Sequence, residues 1–166
     1  MKIYLAGDHA GFELKNLASN MLKENGHEIV DFGATSFQPN DDYPDFVTQV
    51  ANAIASDLAT NDSSQSLGFI FGGSGQGEAM AANRVSGVRT AVFYGPVAPK
   101  QAIDVHGELS TDPYSIVRLE REHNNANILS IGARFVTHNE AMDAIKIFLG
   151  TPFSNDERHV RRIAKY

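Results

Sequence analysis

Apolar positions along this chain recur with two spacings, and the alternation between them predicts the elements. Ile3 to Ala6 forms a short apolar run that reads as a strand, and Gly7-Asp8-His9-Ala10-Gly11 as the turn after it. Phe12, Leu14, Leu17, Ala18, Met21 and Leu22 then recur at helical spacing up to Gly26. A second strand runs through His27 to Asp31, and the polar segment Ala34 to Asp42 reads as a loop. Asp41-Asp42-Tyr43-Pro44-Asp45 opens a helix, with Pro44 suited to its first turn and Phe46, Val47, Val50, Ala51, Ile54 and Leu58 as its buried stripe. A polar linker, Thr60 to Ser66, leads to an apolar third strand from Leu67, a glycine turn and a helix opening at about Gln76. Val88 to Tyr94 reads as a fourth strand and Asn127 to Ala133 as a fifth. Between them, Gly95 to Asp112 reads as a short helix plus an irregular excursion, and Tyr114 to His123 as a helix. Glu140 to Gly150 reads as a helix ended by glycine, and the basic tail from Asp156 to Lys165 follows. Strands alternating with helices predict the α/β class.

Composition narrows the class. With 166 residues and 42% hydrophobic content, the chain is expected to form one domain, 1–166, with a substantial core. A net charge of −6 argues against nucleic acid or an anionic membrane as the main partner. The absence of cysteine excludes disulfides and thiolate metal sites and fits a cytoplasmic protein. Met1 to Gly7 enters a strand directly, without a long apolar signal region, and no apolar run is long enough to span a bilayer.

The stretch Gly72-Gly73-Ser74-Gly75-Gln76-Gly77-Glu78 is the first place to look for chemistry, because ligands of open parallel sheets sit where strand ends meet helix starts. Three familiar motifs fail. Gly72 to Gly77 has phosphate-loop spacing but is followed by Glu78 and Ala79 instead of Lys and Ser or Thr. A dinucleotide fingerprint starting at Gly75 meets Met80 where it needs glycine. Gly-x-Ser-x-Gly fails at Gln76. What remains is a hydroxyl (Ser74), a carboxylate (Glu78) and backbone donors on one turn. Glu78 either complements the helix dipole, with Gly75 as N-cap, or serves as a general base beside an oxyanion hole. A helix N-terminus would lower its pKa and burial would raise it. Other residues carry the same ambiguity. Asp8 is either an N-cap or a site group, and His9 either a surface residue or a site group. Tyr43 either packs or lines a pocket. Arg158 and Arg162, four apart on one helix face, either solvate a helix end or clamp a phosphate.

Taken together, Gly7-Asp8-His9-Ala10-Gly11-Phe12, Asp42-Tyr43-Pro44, the glycine turn with Ala81-Ala82-Asn83-Arg84, His123-Asn124-Asn125-Ala126-Asn127 leading to Gly132-Ala133-Arg134, and the Arg158-His159-x-x-Arg162 tail closely resemble the ribose-5-phosphate isomerase B family, which also includes the galactose-6-phosphate isomerase subunits. The resemblance implies a Rossmann-like three-layer α/β/α sandwich with five parallel strands. It further implies a homodimer or tetramer with sites at the subunit interface. Many members carry a cysteine base at the position of Gly72, and this chain resembles the branch in which the glutamate, here Glu78, takes that task. The implied reaction is aldose–ketose interconversion through an enediolate, without redox cofactor or metal. By the same resemblance Gly73, Gly75 and Gly77 offer backbone N–H groups and Ser74 binds the reacting oxygens. His123 from the neighbouring subunit helps open the sugar ring, Asp8 lies near the ring oxygen, and Tyr43 and Asn124 contact hydroxyls. Arg158, Arg162 and His9 hold the phosphate, joined by Arg134 across the interface.

The segment from Pro99 to Pro113 departs from the family pattern and is expected either to reshape sugar selection or to be a surface excursion. Besides ribose 5-phosphate, a tetrose or hexose phosphate is an alternative substrate. A non-catalytic sugar-phosphate-binding module is the alternative of a different class, and retention of Ser74 and Glu78 favours the enzyme.

Overall fold

The computed structural model describes residues 1–60 and 66–165, so most of the linker read at Thr60 to Ser66 lies outside the described residues. Five strands, β1 (Lys2–Gly7), β2 (Glu28–Asp31), β3 (Leu67–Gly72), β4 (Thr90–Phe93) and β5 (Ile128–Gly132), form one sheet in the order β2-β1-β3-β5-β4. Every neighbouring pair is parallel. The helices are α1 (Phe12–Glu24), α2 (Tyr43–Ala59), α3 (Gln76–Ala82), α4 (Ser115–Asn124), α5 (His138–Gly150) and α6 (Glu157–Ile163).

Side chains alternate across a strand, so each strand feeds two cores. Leu5, Phe69, Phe71, Phe93, Leu129 and Ile131 pack with Leu14 and Leu22 of α1, Val117 of α4 and Ile145 and Phe148 of α5. Tyr4, Ala6, Ile70 and Ile128 face the other way, against Val47, Val50 and Ile54 of α2 and Ala82 of α3. The result is the expected three-layer, Rossmann-like sandwich. Right-handed crossovers account for the division, because the chain moves one way along the sheet from β1 to β2 and from β4 to β5, and the other way from β2 to β3 and from β3 to β4.

Several boundaries differ from the sequence reading by one or two residues, and one expected helix is absent. α5 begins at His138, two residues before Glu140, because Thr137 and Glu140 form a capping box: the Thr137 hydroxyl accepts the Glu140 N–H (3.3 Å) and the Glu140 carboxylate accepts the Thr137 N–H (2.7 Å). Val88 and Arg89 lie outside β4, and Asn127 Oδ1 takes the Arg89 N–H at 2.8 Å. The short helix expected between Gly95 and Asp112 is absent; the segment holds turns and bends. Pro96 and Pro99 offer no N–H, and the Asp104 carboxylate accepts the N–H groups of His106 and Glu108, both at 2.9 Å, closing a local turn in competition with a helix. The neck of the excursion is tied by Val97 N–H to the Pro113 carbonyl (2.8 Å).

Candidate active site

β1 and β3 are neighbours, yet α1 leaves β1 toward one face and α3 leaves β3 toward the other. That divergence opens a crevice at their carboxyl ends, the usual ligand position of such sheets. A cleft of about 330 Å³ lies there, lined by Asp8, His9, Tyr43, Gly73, Ser74, Gly77, Glu78 and Arg134 among others.

Glu78 sits in the first turn of α3, which is capped by Gly75 in the left-handed conformation (φ 75°). The Ser130 hydroxyl on β5 donates to the Gly75 carbonyl at 2.7 Å and fixes that turn. The Glu78 carboxylate folds back over Gly72: a Cβ added there would lie 1.6 Å from Glu78 Oε1. Glycine at 72 thus leaves the space that the carboxylate fills. Glu78 is 4% exposed. Burial pushes its carboxyl pKa up, the Asp8 charge adds to this, and the Glu78 N–H and Arg134 pull it back. The net direction is upward, burial outweighing the Glu78 N–H and Arg134.

Asp8 is buried and accepts the N–H groups of Ala10 (3.0 Å) and Gly11 (3.1 Å). It closes the turn, while Gly11, not Asp8, is the N-cap of α1. The Ser74 hydroxyl accepts the Gln76 N–H at 3.3 Å. Tyr43, the first residue of α2, brings its hydroxyl against Gly77, where an added Cβ would lie 2.7 Å from it. Arg134, just beyond β5, donates its N–H to the Gly73 carbonyl (3.2 Å) and lays its guanidinium over Gly73. His9 is gripped by Asp41, whose Oδ1 lies 2.6 Å from His9 Nδ1 and 3.1 Å from its backbone nitrogen. Asp41 was read only as part of a helix opening; a contact across 32 positions leaves no local signal. Asp8, His9 and Asp41 form a group with ligand atoms close enough for a metal ion, but the His9 nitrogen and Asp41 oxygen are already bonded to each other.

The remaining expected residues stand elsewhere. His123 and Asn124 end α4 and precede β5, at the amino end of the sheet. Gly68 pairs with Ile128 and Gly72 with Gly132, so a strand length of about 13 Å separates that end from the cleft. The His123 ring lies 4.2 Å from the ring of His159 on α6, the helix that carries Arg158 and Arg162. Burial, then His159, holds the His123 pKa below the usual histidine range. Asn124 borders a second hollow of about 440 Å³ with Asn83, Ser86 and Thr90. One chain therefore presents two separate groups of the expected residues: Glu78, Ser74, His9 and Arg134 on one side, and His123, Asn124, Arg158 and Arg162 on the other. Arg134, grouped from the sequence across the interface from His9, shares the cleft with it.

The profile of the Ribose/Galactose Isomerase family matches residues 3–108 and 103–166. Ribose-5-phosphate isomerase B of Mycobacterium tuberculosis (strain H37Rv) is 39% identical over 163 residues, covering 98% of this chain and 86% of that protein. The probable ribose-5-phosphate isomerase B of Mycoplasma genitalium is 38% identical, covering 98% and 91%. Among solved structures, ribose-5-phosphate isomerase B from Mycoplasma genitalium with bound ribulose-5-phosphate superposes with a TM-score of 0.81 at 35% identity, covering 99% of this chain and 92% of that one. The Clostridium thermocellum enzyme follows at a TM-score of 0.80 and 34% identity, covering 99% and 94%. On both sequence and architecture, the chain belongs to the ribose/galactose isomerase family.

Proposed function

We propose that this chain, as a single catalytic domain, interconverts ribose 5-phosphate and ribulose 5-phosphate through an enediolate. The observation that carries the reading is the buried Glu78 carboxylate lying over Gly72, beside Ser74 and backbone N–H groups, in a cleft rimmed by His9 and Arg134. A carboxylate whose pKa is raised by burial is a stronger base once ionised, and a carbon acid needs one. Glu78 takes the proton from C2 of the open-chain aldose and returns it to C1, while the O2 proton passes to O1. The negative charge on the intervening enediolate is met by Ser74 and the N–H groups of the glycine turn. Two separate groups per chain support a homodimer or tetramer in which His123, Asn124, Arg158 and Arg162 of a second copy complete each cleft, His123 opening the ring and the arginines joining His9 and Arg134 on the phosphate. The cysteine-free composition supports a cytoplasmic setting, and among the described residues no helix is long and apolar enough to cross a membrane.

Another phosphorylated sugar is favoured by one observation: the two stretches matched by the family profile meet at 103–108, inside the excursion that precedes the His123 helix. The test is kcat/KM across phosphorylated tetroses, pentoses and hexoses, with and without EDTA, for wild type and Glu78→Gln. The expected outcome is EDTA-insensitive turnover strongest on ribose 5-phosphate, lowered by roughly 100-fold or more in kcat by Glu78→Gln with KM little changed. Preference for a different sugar would shift the substrate assignment, and near-normal turnover by Glu78→Gln would move the base.

A further inference from the structure

The cleft histidine is held by a carboxylate that nothing in the proposed reaction uses. Asp41 Oδ1 receives both His9 Nδ1 (2.6 Å) and the His9 backbone N–H (3.1 Å). The Asp41 side chain is only 8% exposed, and its other oxygen, Oδ2, is buried with no hydrogen-bond partner among the described residues. Asp8 does not compete for the ring: it stands 3.9 Å from Nδ1, with its Oδ1 occupied by Ala10 and Gly11. The edge of Phe37 closes off another side of the imidazole, ring centres 6.3 Å apart and planes at 88°.

An ionised carboxylate can only accept, so this short contact requires the proton on Nδ1 and leaves Nε2 as the nitrogen available to the cleft that His9 lines. We propose that Asp41 is a positioning residue for His9: it fixes the Nδ1–H form and the ring orientation, so that Nε2 meets the phosphate of the substrate. The proposal rests on the reading of the cleft as a sugar-phosphate site. In the complex the ring bridges two anions, with Nδ1–H donated to Asp41 and Nε2 turned to a phosphate oxygen. Outer partners of this kind orient histidines toward ligands, and their loss weakens binding more than it alters the reacting groups.

Two measurements on the full chain separate this role from a structural tie between the 34–42 loop and the turn after β1. The first is the ring ¹⁵N signature of His9 in its neutral form, expected as Nδ1–H in wild type; an Nε2–H form there would overturn the proposal without any variant having to fold. The second compares Asp41→Ala, which removes the oxygen that accepts both the ring Nδ1 and the backbone N–H, with His9→Ala and the double variant. Asp41→Ala is expected to raise KM for ribose 5-phosphate, and Ki for inorganic phosphate, by about tenfold, with kcat within about twofold. In the His9→Ala background it should add nothing. The same rise in that background, or a fall in kcat at constant KM, would overturn the positioning role. If His9→Ala alone leaves KM and Ki unchanged, the phosphate role of His9 is wrong and the proposal's functional half falls with it, whereas the ring signature reports the grip of Asp41 separately.

Discussion

The exchange between residues 72 and 78 shows how one missing side chain permits another. Glu78 holds this place because residue 72 has no Cβ; a Cβ there would lie 1.6 Å from Oε1, so the carboxylate end of the side chain would have to swing away. Gly72→Ala is therefore expected to expel the carboxylate and lower kcat by about 100-fold, the usual consequence of misplacing a reacting group by an ångström or so. Steady-state kinetics beside circular dichroism check this; wild-type kcat in a folded Gly72→Ala protein would remove Glu78 from the reaction. Glu78, Ser74 and the glycines were legible in the sequence because strand, turn, cap and carboxylate lie within a dozen residues, and local geometry dictates their relation. Asp41 was not, since its partner lies 32 positions away and only the fold brings them together.

Helix α4 carries a cost of its own. Glu120 is buried at 7% exposure, has an unpartnered Oε2, and burial pushes its pKa from 4.5 up to about 8. Between those values the folded protein keeps a proton that the unfolded chain has released, so stability falls as pH rises through this window and is fullest below 4.5. Glu120→Gln removes the titration. It is expected to match wild type near pH 5 and to exceed its Tm by about 3 °C or more near pH 8.5, as read by calorimetry. An identical pH profile in both proteins would place the titration elsewhere. Helical periodicity made α4 legible from Tyr114 onward, but one carboxylate among many gives no sign of its burial. The start of α5 was missed for a smaller reason: Glu140 looks like a first helical residue, yet its side chain reaches back to Thr137.

At the level of the whole molecule, the sheet sends Glu78 and His123 to opposite ends, and under the proposed assembly a second copy brings them together. Mixing Glu78→Gln and His123→Ala subunits tests this. If each site takes its base from one copy and its ring-opening histidine from another, a mixed dimer has one site with both changes and one with neither, so activity returns to roughly half of wild type per mixed dimer, or about a quarter for an equal, randomly reassorted population, against near zero for either parent. No recovery on subunit exchange would confine the site to one chain. The sequence by itself determined the alternation of strands and helices, the glycine turn with its hydroxyl and carboxylate, and the family, because these depend on periodicity and on contacts within a few residues. Only the tertiary structure decided that burial raises the Glu78 pKa, that Arg134 lines the same cleft as His9, that Asp41 holds His9, and that His123 stands a strand length from Glu78. Each of these follows from the order β2-β1-β3-β5-β4 and its parallel register, which join segments far apart in the chain and which no local pattern encodes.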